Sequence, residues 1–135
     1  MLKKFPFVSL KQSLVILRIS VAFIFLAHAI VRIFNSTIER FGDFLEEKGF
    51  SHGFVWVCGI TAFEIIGGLL LAFGYFTKIL SAGFISMLVV GVILIHASFG
   101  WFVGEHGTGG CEYSFILIAA LLVVAAAADN KTKIS

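Results

Sequence analysis

Charge is the scarcest property of this chain. Charged residues make up 13% of its 135 positions, against 59% hydrophobic, a balance that excludes an ordinary soluble domain and points to the membrane class. Proline occurs once, at Pro6, ahead of every long apolar run, so no span is expected to carry a proline kink. Cysteine occurs twice, at Cys58 and Cys111, without a C-x-x-C pair, which argues against a zinc ribbon or a thioredoxin-type centre. Walker, Rossmann and H-E-x-x-H patterns are missing, and no basic cluster suggests nucleic acid. Nothing marks a domain boundary, a low-complexity tract or a repeat, so residues 1–135 read as a single domain.

What is there is four apolar stretches, at about 14–34, 54–76, 79–99 and 112–128. A membrane-crossing helix needs about 20 mostly apolar residues. The first three meet that length, and the fourth spans if Cys111 and Glu112 lie at its mouth. The fold class read from this pattern is an all-α membrane protein, an antiparallel four-helix bundle. Lys3, Lys4 and Lys11 precede the first span, Lys78 sits between the second and third, and Lys131 and Lys133 follow the fourth. Positive charge favours the cytoplasmic side, so both termini are expected there, in a bacterial inner membrane, with the two longer loops outside. Ala27-His28-Ala29 imitates a signal-peptidase site, but the apolar run continues past it and is interrupted by Arg18, so an uncleaved first span is expected.

The loop after the first span has its own pattern. Ser36-Thr37-Ile38-Glu39 matches a capping box. Ile38, Phe41, Phe44 and Leu45 follow at helical spacing among Glu39, Asp43, Glu46 and Glu47, and Gly49 supplies a stop. A short amphipathic outer helix capping the bundle is expected. Gly67, Gly68 and Gly74, Gly83 and Gly91, and the alanines of the last span read as sites of close helix packing.

Ionisable residues inside the spans are the candidates for function, because a charge at the bilayer centre costs about 2.5–3.5 kcal/mol on insertion scales. They are Arg18, His28, Arg32, Glu64, His96 and Glu112. All six are expected to point inward. At about 100° per residue, Arg18, His28 and Arg32 share an arc of roughly 80°. Arg18 lies in the inner half of its span, Glu64 near mid-depth, and His28, Arg32, His96 and Glu112 in the outer half. The expected division is a structural Arg18–Glu64 ion pair, with Arg32 or His28 as other partners within reach of Glu64, and a polar ligand pocket of His28, Arg32, His96 and Glu112. The alternative for all of them is a set of register-fixing locks without chemistry. His28 and His96 are also the pair that would ligate a haem b, but nothing else in the chain shapes a porphyrin pocket. No other metal ligand set is read. His52 and His106 are expected at the surface, and Cys58 and Cys111 fall on one side, where a disulfide could join them.

These residues resemble the DoxX family of small four-helix membrane proteins, over about 17–128. The resemblance lies in Leu17-Arg18, Phe25-Leu26-Ala27-His28 and Arg32 (commonly Lys in the family), in Phe63-Glu64-Ile65-Ile66-Gly67-Gly68 with Gly74 and Thr77-Lys78, and in His96 followed by Gly109-Gly110-Cys111-Glu112-Tyr113. Ala29 departs from the glycine usual after the histidine, and Cys111 from the residue common there. The resemblance implies a membrane subunit or partner of redox systems, including thiosulfate:quinone oxidoreductase, within a membrane complex. Many members have no assigned activity, and similar folds are linked to chaperone and cargo-receptor roles.

Three functional classes compete on this reading. A quinone-linked redox subunit, non-catalytic by itself, would use the outer polar pocket on a quinone. An assembly, chaperone or scaffold protein would use the same groups as struts. A small-solute or proton carrier is third, weakened because polar groups thin out toward the inner side. A protein partner is implied by the first two, and homo-oligomers fit any of them.

Overall fold

The computed structural model describes residues 5–102 and 109–129. Lys3, Lys4, Glu105, His106, Lys131 and Lys133 lie outside the described residues. Every regular element among the described residues is helical. The order is α1 (Leu10–Phe34), α2 (Ile38–Glu47), α3 (Gly53–Phe73), α4 (Thr77–Leu94), a 3-10 turn (His96–Phe99) and α5 (Glu112–Asp129). Helices α1, α3, α4 and α5 are each long and apolar enough to cross a membrane. The fold class is therefore the expected one, an all-α membrane protein.

The ends of the helices explain where the elements stop. Ser9 caps α1: its hydroxyl accepts the Gln12 N–H at 3.2 Å while the Gln12 side chain accepts the Ser9 N–H at 2.8 Å. This reciprocal box satisfies two of the donors that a helix start leaves unpaired. The box expected at Ser36–Glu39 does not form. Ser36 instead adopts a left-handed conformation (φ 52°) that closes α1, with its N–H bonded to the Ile33 carbonyl at 3.0 Å and the Thr37 N–H to the Arg32 carbonyl at 3.1 Å. Thr37 takes the N-cap position of α2 without a side-chain cap, because its hydroxyl donates back to the Arg32 carbonyl at 3.3 Å. Gly49 and Gly74, both at positive φ, end α2 and α3 in the same way, as Gly49 was expected to do. The third span is shorter than the apolar run suggests: α4 ends at Leu94, and His96 stands on the 3-10 turn rather than on the helix.

The chain divides into two compact units, Met1–Val21 with Phe76–Ser135, and Ala22–Tyr75. In the second, the buried positions of α3 are Gly53, Val57, Thr61, Glu64, Gly67, Gly68 and Leu71, a stripe at helical spacing. The stripe meets α1 where Gly68 lies against Leu26. A methyl on Gly68 would come within 3.0 Å of Leu26 Cγ, so glycine here sets the approach of the two helices. Helix α2 packs on the start of α3 through a second close contact. Gly42 and Gly53 are both buried, and a Cβ on Gly42 would sit 2.8 Å from the Phe54 nitrogen. Leu45 is buried beneath α2, and the Glu46 carboxylate accepts the Gly53 N–H at 2.9 Å, answering a free donor at the start of α3. The amphipathic helix is thus clamped by backbone contact and not merely laid down by its apolar face.

In the other unit, α4 and α5 form an antiparallel pair. Lys78 at the start of α4 and Asp129 at the end of α5 make an exposed ion pair at one end. At the other end the chain turns back on itself: the Cys111 N–H bonds to the Gly100 carbonyl and the Glu112 N–H to the Trp101 carbonyl, each at 3.2 Å. Gly110 is buried beneath this turn, where a Cβ would meet the Phe102 carbonyl carbon at 2.8 Å. The Trp101 and Phe115 rings pack 5.7 Å apart beside it.

Candidate functional site

Arg32 is the centre of the polar group in the Ala22–Tyr75 unit. It lies in the last turn of α1, where a cation is favoured by the helix dipole. Its Nη1 donates to Glu64 Oε2 at 2.5 Å and to Thr61 Oγ1 at 2.8 Å, and its Nη2 donates to Glu64 Oε1 at 3.4 Å. The Thr61 hydroxyl passes its own hydrogen to the Val57 carbonyl at 2.7 Å. Phe41 of α2 covers the guanidinium, with 5.5 Å from Cζ to the ring centroid. The side chains of Arg32 and Glu64 are 13% and 5% exposed, so this is a buried, two-oxygen, charge-assisted pair with a hydroxyl completing it.

The expected Arg18–Glu64 pairing is corrected by this geometry. Glu64 gives its carboxylate to Arg32. The antiparallel register that puts Gly68 on Leu26 brings Glu64 opposite the turn of α1 ending at Arg32, nearly four helical turns from Arg18. Arg32 was expected in the ligand pocket and instead forms the ion pair, with Thr61 and Phe41 as members that the sequence reading missed. Thr61 did leave a signal: it lies one turn before Glu64 on the same face. Phe41 left none, since its approach depends on how α2 folds back.

His28 also departs from expectation. It is exposed, because the buried face of α1 runs through Ala22, Phe25, Ala29 and Arg32 and leaves His28 at its margin. The expectation that all six ionisable residues turn inward therefore does not hold for it. Arg18 is half-buried on α1.

His96 and Glu112 belong to the other unit and stand at the same end of the α4–α5 pair, one just after α4 and the other opening α5. Glu112 heads its helix, a position that favours a negative charge. The His96 Nδ1 is buried and has no hydrogen-bond partner among the described residues. Gly109 lies beside the ring, where a Cβ would be 3.4 Å from Nδ1 and 3.7 Å from Cε1. Ser81, fully buried on α4, likewise has an unpartnered hydroxyl. Cys58 and Cys111 are free thiols. Among the described residues no cluster of three or more His, Cys, Asp or Glu is placed to hold a metal ion.

Four membrane-length apolar helices and buried intramembrane charge define an integral membrane protein of the small four-span class. The DoxX family model matches residues 13–97, most of the chain, and the protein belongs to that family. The match runs from the second turn of α1 to the residue after His96 and leaves α5 and Glu112 beyond it. No curated protein and no solved structure matches this chain.

Proposed function

We propose that this protein is a non-catalytic membrane subunit or partner of a quinone-linked redox system, and that His96 binds the ligand. The observation that carries the reading is the His96 Nδ1, buried at the end of a span with no partner among the described residues. Buried polar atoms are nearly always hydrogen-bonded, and an exception calls for a missing partner. A neutral imidazole nitrogen either donates to a quinone carbonyl or accepts from a quinol hydroxyl, and it can pass a proton as the ligand changes redox state. Glu112, at the same end of the α4–α5 pair, gives a second proton-exchanging group. The family resemblance adds the redox association. Electrons come from a partner protein, and the chain supplies binding and protons. The lysines near both termini support a bacterial inner-membrane location with the termini in the cytoplasm.

The test is purification with native lipid, followed by quinone extraction and an absorbance spectrum. Quinone retained by the native chain and lost in His96→Ala is the expected result. A preparation without quinone, or quinone retained equally by the variant, overturns the reading, and a Soret band would assign the histidine to haem instead. A scaffold or assembly role is the second reading, favoured by the closure of the Arg32–Thr61–Glu64 group on itself, which leaves nothing there for a ligand to satisfy. A stable protein partner without quinone would support it.

A further inference from the structure

The segment leading into α1 is built as an anchor, and its chemistry differs from that of the polar groups above. Phe5 and Phe7 are 69% and 74% exposed, yet their rings are held together edge to face, with centroids 6.1 Å apart. Phe7 adopts a left-handed backbone (φ 65°), a conformation that bulky residues rarely take. That turn brings the two rings together immediately before the Ser9–Gln12 cap that starts the helix. Val8 and Leu10 are exposed as well, so four apolar side chains in six residues face away from the protein.

The length of α1 places this wedge. Its 25 residues extend about 37 Å, against about 30 Å for a hydrocarbon core. The apolar run begins at Leu14, so the first turn of α1 and the wedge before it lie at headgroup depth, where aromatic rings partition. Lys11 is exposed on that first turn, and Lys3 and Lys4 precede the wedge in sequence. Aromatic side chains at the interface and Lys11 exposed on the next turn, in a sequence that adds Lys3 and Lys4 and has no carboxylate among residues 1–38, match a negatively charged surface.

We infer that this N-terminal segment binds the anionic phospholipid headgroups of the leaflet it meets, with Phe5 and Phe7 setting its depth and the lysines selecting charge. Each lysine near such a surface contributes about a fivefold preference for anionic lipid. The experiment is the relative association of spin-labelled phosphatidylglycerol and phosphatidylcholine with the full chain in mixed-lipid nanodiscs. The native chain should prefer phosphatidylglycerol. Lys11→Gln should lower the preference by about fivefold, and Lys3→Gln/Lys4→Gln/Lys11→Gln by up to about a hundredfold, with helix content unchanged by circular dichroism. High salt should erase the preference in the native chain. Phe5→Ser/Phe7→Ser should reduce it too, by letting the segment lift away. Lys48→Gln, at the C-cap of α2, serves as a control that leaves it intact. A preference unchanged in the triple lysine variant, or one that survives loss of both rings, overturns the inference. So does cross-linking through position 5 that captures a second copy in place of lipid.

Discussion

Glu64 on α3 and Arg32 on α1 are joined through both carboxylate oxygens, 32 residues apart in the chain and almost wholly withdrawn from the surface. Such a pair contributes little net stability over a well-packed apolar contact, yet breaking it leaves one charge stranded. We therefore expect Glu64→Ala and Arg32→Leu each to lower stability by about 3–5 kcal/mol, and the double variant to recover part of that loss. Thermal unfolding in detergent measures this cycle. Additive losses would mean that the two residues are not energetically coupled.

Thr61 should behave as a lesser member of the same group. Thr61→Val keeps the shape and removes the oxygen that accepts from Arg32, so a loss of about 1–3 kcal/mol is expected. In the Glu64→Ala background the effect should change, because Arg32 then depends more on the hydroxyl. An unchanged effect in both backgrounds would remove Thr61 from the network.

The α2 clamp makes a sharp prediction at glycine. Gly53→Ala places a methyl against the Gly42 carbonyl, which backbone cannot yield to without separating the helices. Amide exchange across 38–47 should rise strongly in this variant while α4 and α5 remain protected. Gly59→Ala is the control, since nothing lies within 4 Å of that position. Equal exchange in the native chain and the Gly53 variant would show that the crossing is not what holds α2.

His96→Ala should leave the fold intact. A single hydrogen-bonding group inside a membrane protein contributes about 0.6 kcal/mol on average, and its Nδ1 has no partner among the described residues to lose. The midpoint of thermal unfolding should stay close to native while retained quinone falls. Collapse of the fold would make His96 a strut.

Asp43 on α2 and Lys11 on α1 are exposed residues on either side of a single membrane-length helix. Cysteines introduced there should label with impermeant reagent from opposite faces, Lys11 from the cytoplasmic one. Labelling of both from one face would contradict the topology.

Much of the fold was legible in the sequence because a bilayer leaves few options: an apolar run of some twenty residues forms a helix to satisfy its own backbone. The limits of the reading are equally physical. Composition fixes that Glu64 needs a cation but not which one, since the choice between Arg18 and Arg32 depends on how far α3 slides along α1, and that is set by the Gly68–Leu26 contact. Ser36 fits a helix start and a helix stop equally well, and the closure of α1 claimed it. His28 lay at the margin of the polar arc, and a shift of one residue position decides whether a side chain at such a margin is covered. The candidate at His96 was legible as a residue but not as a geometry, because its place on a 3-10 turn follows from α4 ending at Leu94 within an unbroken apolar run.

The distance along the chain between Arg32 and Glu64 also bears on biogenesis. At about 5–20 residues per second, the ribosome needs roughly two to six seconds after adding Arg32 before it adds the carboxylate that neutralises it. During that interval α1 carries an uncompensated guanidinium near its trailing end. A lone α1 is thus a poor candidate for release into lipid, and the helical hairpin of α1 and α3 is the smallest piece of this protein in which the Arg32 charge is neutralised.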